Sequence, residues 1–108
     1  MDKKLALDLL HKHFDSGEPA LKLLAMIAYQ FKNLLIIKDL IEKQNPYNII
    51  AIKSGLHTFV VHKTFYLCNQ FTIEQLKKIY QKIFQIDFDI KTGKIEAETA
   101  LDLFLAGI

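Results

Sequence analysis

Four histidines are the side chains of this sequence best suited to acid–base chemistry near neutral pH. Their spacing works against a shared task. His11 and His13 stand two apart, so on a helix they point about 200° apart and cannot hold one metal. His57 and His62 stand five apart across a turn, again a poor chelating distance. No H-E-x-x-H occurs. Each histidine therefore reads as a surface or capping residue. The lone cysteine, Cys68, has no charged neighbour in sequence to lower its pKa and reads as a small buried apolar residue. One cysteine excludes both a disulfide framework and a Cys-x-x-Cys zinc site. The four glycines lie too far apart for a phosphate loop or a dinucleotide fingerprint. The carboxylates stand singly; even Asp87 and Asp89 face different sides of a helix. The expectation is a protein with no catalytic residue, no cofactor and no metal.

Composition narrows the class further. With 108 residues, 51% apolar and 24% charged, the chain has the profile of one ordinary soluble domain. Folding at this length removes roughly two-thirds of the unfolded surface from water, so no staple is needed. All 14 positive residues are lysine, the net charge is +2, and acids interleave with the lysines. A dedicated DNA reader would show a basic stripe and prefer arginine. The longest uninterrupted apolar run is the seven residues Leu23 to Tyr29, against the ~20 that span a bilayer. No secretory h-region follows Met1-Asp2-Lys3-Lys4. These features predict a cytoplasmic protein with no membrane partner.

Helical periodicity accounts for nearly the whole chain, and the expected fold is all-α, a compact bundle of five to six helices. A first helix is expected from Asp2 to Phe14, leaving through Gly17. A long second helix runs from Pro19, which suits a first-turn position, to Lys43. Its apolar residues from Leu23 to Ile37 surround the cylinder, which demands burial on more than one face. A short helix, about Pro46 to Ser54 with Asn45 as a candidate cap, ends at Gly55. Another spans about Thr58 to Asn69. Thr72-Ile73-Glu74-Gln75 fits a capping box, with Phe71 and Leu76 placed for a hydrophobic staple, and opens a helix ending near Thr92-Gly93. The last helix runs from about Glu96 to Leu105.

Ala51, Gly55 and Val61 have the spacing of a helix-turn-helix: small residue, turn glycine, packed β-branched residue. The second helix would then begin Thr58-Phe59-Val60-Val61-His62-Lys63. Phe59 and Val60 are poor chemistry for base edges. A small DNA-binding regulator using residues 46–69 is the alternative function; it predicts salt-dependent DNA binding and a symmetric dimer.

From about Gly17 onward, several landmarks occur in a specific order. Gly17-Glu18-Pro19 opens the long helix, and Tyr29-Gln30-Phe31-Lys32 follows within it. Ile50-Ala51-x-Lys53-x-Gly55-x-His57-x-Phe59-Val60-Val61-x-Lys63 is the most specific stretch. Phe71-Thr72 and Asp89-x-Lys91-x-Gly93-Lys94 complete the order. In this order and spacing the chain resembles the C-terminal domain of the bacterial DNA polymerase III delta subunit, a clamp-loader component. Two positions depart from the family pattern: Lys32 stands where arginine is usual, and Thr58 where proline is frequent.

The resemblance implies a non-catalytic helical oligomerisation domain, residues 1–108, separated from the AAA+-like N-terminal domains of a larger subunit. It implies partners in a ring-shaped collar, namely the clamp-loader ATPase subunits and delta-prime. The sliding clamp and primed DNA would be met only through the full complex. Gly17, Gln30, Phe31, Ala51, Gly55, His57, Phe59, Val61, Lys91 and Gly93 would serve turns and packing. Outward residues of the long helix (Tyr29, Lys32, Ile36) and of the last helix (Leu103, Phe104) are the expected subunit contacts.

Overall fold

Pro19 opens the longest helix at the position where its missing N–H costs no hydrogen bond. The computed structural model describes residues 19–107. The expected first helix and Gly17 lie outside the described residues. Five α-helices follow in order: α1 (Pro19–Glu42), α2 (Tyr47–Lys53), α3 (Thr58–Leu67), α4 (Ile73–Lys91) and α5 (Ala97–Ala106). A 3₁₀ turn, Cys68–Gln70, follows α3. Among the described residues there is no strand, and Ile86 to Ile90, which alternates in sequence, continues α4.

Local chemistry explains the boundaries. α1 ends as Gln44 turns left-handed at φ 62°. Gln44 N–H then bonds Ile41 O at 2.8 Å and Asn45 N–H bonds Leu40 O at 3.2 Å. This is a Schellman exit, satisfying carbonyls the last turn leaves open. Asn45 does not cap α2 as the sequence suggested. Pro46 holds that position, and the Asn45 amide donates back to Leu40 O at 3.0 Å. α4 repeats the exit with the expected residue: Gly93 stands at φ 76°, and Lys94 N–H bonds Asp89 O at 2.8 Å. α3 opens on His57, whose Nδ1 accepts the Phe59 N–H at 3.1 Å. The capping box of α4 forms as read: Gln75 N–H donates to Thr72 Oγ1 at 3.1 Å, and Thr72 N–H donates to Gln75 Oε1 at 2.9 Å.

The described chain divides into two units, residues 29–80 and residues 19–28 with 81–107. In the first, Phe31, Leu34 and Ile37 of α1, Ile50 of α2, Val61 of α3, Cys68 of the 3₁₀ turn and Leu76 of α4 are buried. In the second, Leu23, Leu24 and Ile27 of α1, Ile83 of α4, and Ala100, Leu101, Phe104 and Leu105 of α5 are buried.

By length and composition α1 is apolar enough to cross a membrane, although no uninterrupted run in it exceeds seven residues. Leu24, Phe31, Leu34 and Ile37 bury one long row of it against protein, the pattern of a core helix.

Candidate interaction site

The groups that might have carried acid–base or nucleophilic chemistry are used structurally. His57 caps α3. His62 sits on the outer face of α3, its ring edge-on to Tyr66 with centroids 5.1 Å apart. Cys68 is fully buried, and its thiol donates to Leu34 O at 3.6 Å. Burial pushes the thiol up to about 11, with nearby Lys38 pulling weakly the other way. That is the reverse of what a nucleophile needs. Lys38, which no sequence neighbour of Cys68 foreshadows, donates to the Cys68 carbonyl at 3.2 Å.

A shallow depression of about 420 Å³ lies beside the start of α4, lined in part by Lys38, Glu42, Thr72, Glu74 and Gln75. Lys38, Thr72 and Gln75 are already engaged in the bonds just described. Among the described residues, no three His, Cys, Asp or Glu side chains gather to hold a metal ion.

What the surface offers instead is apolar area. On α1, Tyr29 is 49% exposed and Met26, three residues earlier on the same side of the helix, is 62% exposed. Lys32 is exposed beside them, while Ile36 is half-buried. On α5, Leu103 is 63% exposed, but Phe104 is only 1% exposed. Phe104 is therefore a core residue and not a surface contact: it follows Ala100 and Leu101 at helical spacing, which turns it inward. Met26 was not anticipated as outward. Its place three residues before Tyr29 was the available signal.

The motif residues divide the same way. Phe31 is buried, and its ring meets Phe71 edge-on at 5.9 Å, while neighbouring Gln30 is exposed. Gly55 occupies the left-handed region at φ 69° between α2 and α3, Val61 is fully buried, and Ala51 is half-buried. The helix pair expected from their spacing is thus present. Lys91 pairs with Asp87 at 2.8 Å, four residues back along α4. Phe59, placed among the packing residues by its motif, is instead 69% exposed. It lies on the solvent side of α3, two residues before buried Val61.

Residues 1–108 match the family model for the DNA polymerase III delta subunit, C-terminal domain. The chain belongs to this family. The delta C-terminal domain described here is similar to the DNA polymerase III subunit delta of Bacillus subtilis (strain 168), with 28% identity over 100 residues. The match covers 93% of this chain and 29% of that protein, so the chain spans less than a third of its relative. It is also similar to the solved Bacillus subtilis DNA clamp loader delta protein, with a TM-score of 0.84 and 28% identity. That match covers 94% of this chain and 30% of the solved one. The delta assignment does not favour a free-standing helix-turn-helix regulator: the α2–α3 pair belongs to a fold shared with a clamp-loader protein.

Proposed function

We propose that this domain is the collar module through which a DNA polymerase III delta subunit joins the clamp-loader ATPase subunits and delta-prime. The assembled loader would then place the sliding clamp on primed DNA. The domain itself performs no catalysis and takes no cofactor. Its AAA+-like companions belong to the rest of the subunit, and it works in the bacterial cytoplasm at the replisome. The observation that carries this reading is the match of the whole chain to the delta C-terminal family, reinforced by structural likeness to a clamp-loader delta protein.

The physical logic is that of assembly. α1 buries one row of apolar side chains and leaves Met26 and Tyr29 in water beside Lys32. Exposed aromatic and Met side chains rimmed by a cation are the composition of a protein contact. Leu103 on α5 is a further exposed apolar side chain, and a contact of its own is proposed for it. Replacing Tyr29 by aspartate places a charge where apolar contact is required. Tyr29→Asp should abolish co-elution with the clamp-loader ATPase subunit and leave helicity intact. Unchanged assembly by a folded Tyr29→Asp variant would sink this placement of the contact.

A further inference from the structure

α3 begins on a cap that can take up a proton. Ser, Thr, Asp and Asn are the usual N-cap residues, and each keeps its oxygen acceptor near neutral pH. At α3 the position belongs to His57, with φ −59° and ψ 143°, and its Nδ1 accepts the Phe59 N–H at 3.1 Å. That N–H belongs to the first turn, whose donors find no partner inside the helix. A ring nitrogen accepts only when it carries no proton. The bond therefore requires a neutral imidazole with its hydrogen on Nε2. A proton on Nδ1 turns the acceptor into a donor facing another donor, and it sets a cation against the positive end of α3.

The surroundings do not offset that change. His57 is exposed, so a proton reaches it from solvent. The titratable side chains of the two helices that meet at this turn are Tyr47 and Lys53 on α2, and His62, Lys63 and Tyr66 on α3. None is a carboxylate that would hold an imidazolium in place. The rest of the turn is fixed by groups that do not titrate. Ser54 Oγ accepts the Leu56 N–H at 3.3 Å and donates to Ala51 O at 3.4 Å. The α4 cap, built from Thr72 and Gln75, also contains no titratable group. Of these two side-chain caps, only that of α3 can be switched by a proton.

We propose that His57 is a proton-operated latch: neutral, it closes the first turn of α3, and protonated, it releases Thr58 and Phe59 while the rest of α3 stays helical. The release stops at Val61, which is fully buried and whose N–H bonds the His57 carbonyl at 3.0 Å, a bond the ring's charge leaves intact.

The test is an NMR titration of the full 108-residue chain, labelled with ¹⁵N, from about pH 8 to about pH 5, the range in which histidine changes charge. At pH 8 the ring ¹⁵N shifts of His57 should report the Nε2–H tautomer. As the ring protonates, the Phe59 amide shift should move in step with it. The hydrogen-exchange protection of that amide should fall roughly fivefold, the equivalent of about 1 kcal/mol for a lost cap. The Gln75 amide, held by Thr72, should stay still. His57→Asn, which caps at every pH, should leave the Phe59 amide unchanged across the titration, and His62→Gln should leave the wild-type response intact. An Nδ1–H tautomer at pH 8, or a Phe59 amide that ignores the His57 titration, overturns the proposal whether or not the variants fold. So does a response that disappears in His62→Gln, which would assign it to the wrong ring, or one that Gln75 shares, which would mean general unfolding.

Discussion

The Cys68 thiol donates to the backbone carbonyl of Leu34, 3.6 Å away in the middle of α1. The Cys68 carbonyl in turn accepts from Lys38, one helical turn further on, at 3.2 Å. One residue of the 3₁₀ turn is thereby tied to α1 at two points, which makes the only cysteine of the chain a structural clasp.

This clasp has a pH signature. The folded-state thiol titrates near 11, above its ordinary 9.0, because burial disfavours the thiolate. The folded state thus holds the proton more tightly than the unfolded one. The contribution to stability is complete below pH 9 and lost as pH rises toward 11. Urea titrations across that window should show a steeper loss of stability in the wild type than in Cys68→Ala. At pH 8 the thiol should resist iodoacetamide in the native protein and react in urea. Rapid native labelling would contradict its burial.

The capping box sets the start of α4. Thr72→Ala removes the acceptor for the Gln75 N–H and should cost about 1 kcal/mol in chemical denaturation. A loss near zero would mean that water replaces the hydroxyl.

Gln44 holds a left-handed φ of 62° with a side chain, where α4 uses Gly93 at 76° for the same exit. Gln44→Gly should raise stability by about 1 kcal/mol, since the strain of a Cβ there outweighs the entropy that glycine adds. The melting temperature is the readout, and a decrease would contradict the account.

Asn33 is fully buried on α1, and neither its amide nitrogen nor its oxygen has a hydrogen-bond partner among the described residues. An unsatisfied buried amide costs about 1–3 kcal/mol. Asn33→Leu should therefore stabilise the fold, as read by the urea midpoint. A destabilised variant would mean that the amide carries an interaction worth more than its desolvation.

These residues also show how far the sequence alone reaches. The α4 start was legible because Thr72, Gln75 and Leu76 encode a local motif, and the α4 end because Gly93 announces a left-handed turn. The α1 end was legible only roughly. Gln44 gives no glycine signal, and Asn45, a good cap type, spends its side chain on Leu40 instead of on α2. Phe31 and Val61 were readable as interior from periodicity. Phe104 was not, because the apolar run Leu103-Phe104-Leu105 does not by itself say which member faces out. Asn33 was invisible for a similar reason: periodicity finds apolar faces, and a polar residue enclosed by its neighbours leaves no pattern. Phe59 sits in a family-like motif whose order is local, while its exposure is decided by which side of α3 the fold buries. The Lys38–Cys68 contact joins residues thirty apart and needed the fold itself.

Assembly with the other clamp-loader subunits is tested by mixing. The subunit carrying this domain, the clamp-loader ATPase subunit and delta-prime from the same organism should be run together and separately by size exclusion with light scattering. A heteromeric peak of a mass absent from each separate run is expected in the mixture, and its loss with Tyr29→Asp. A mixture that elutes as the sum of its separate components would contradict the collar function.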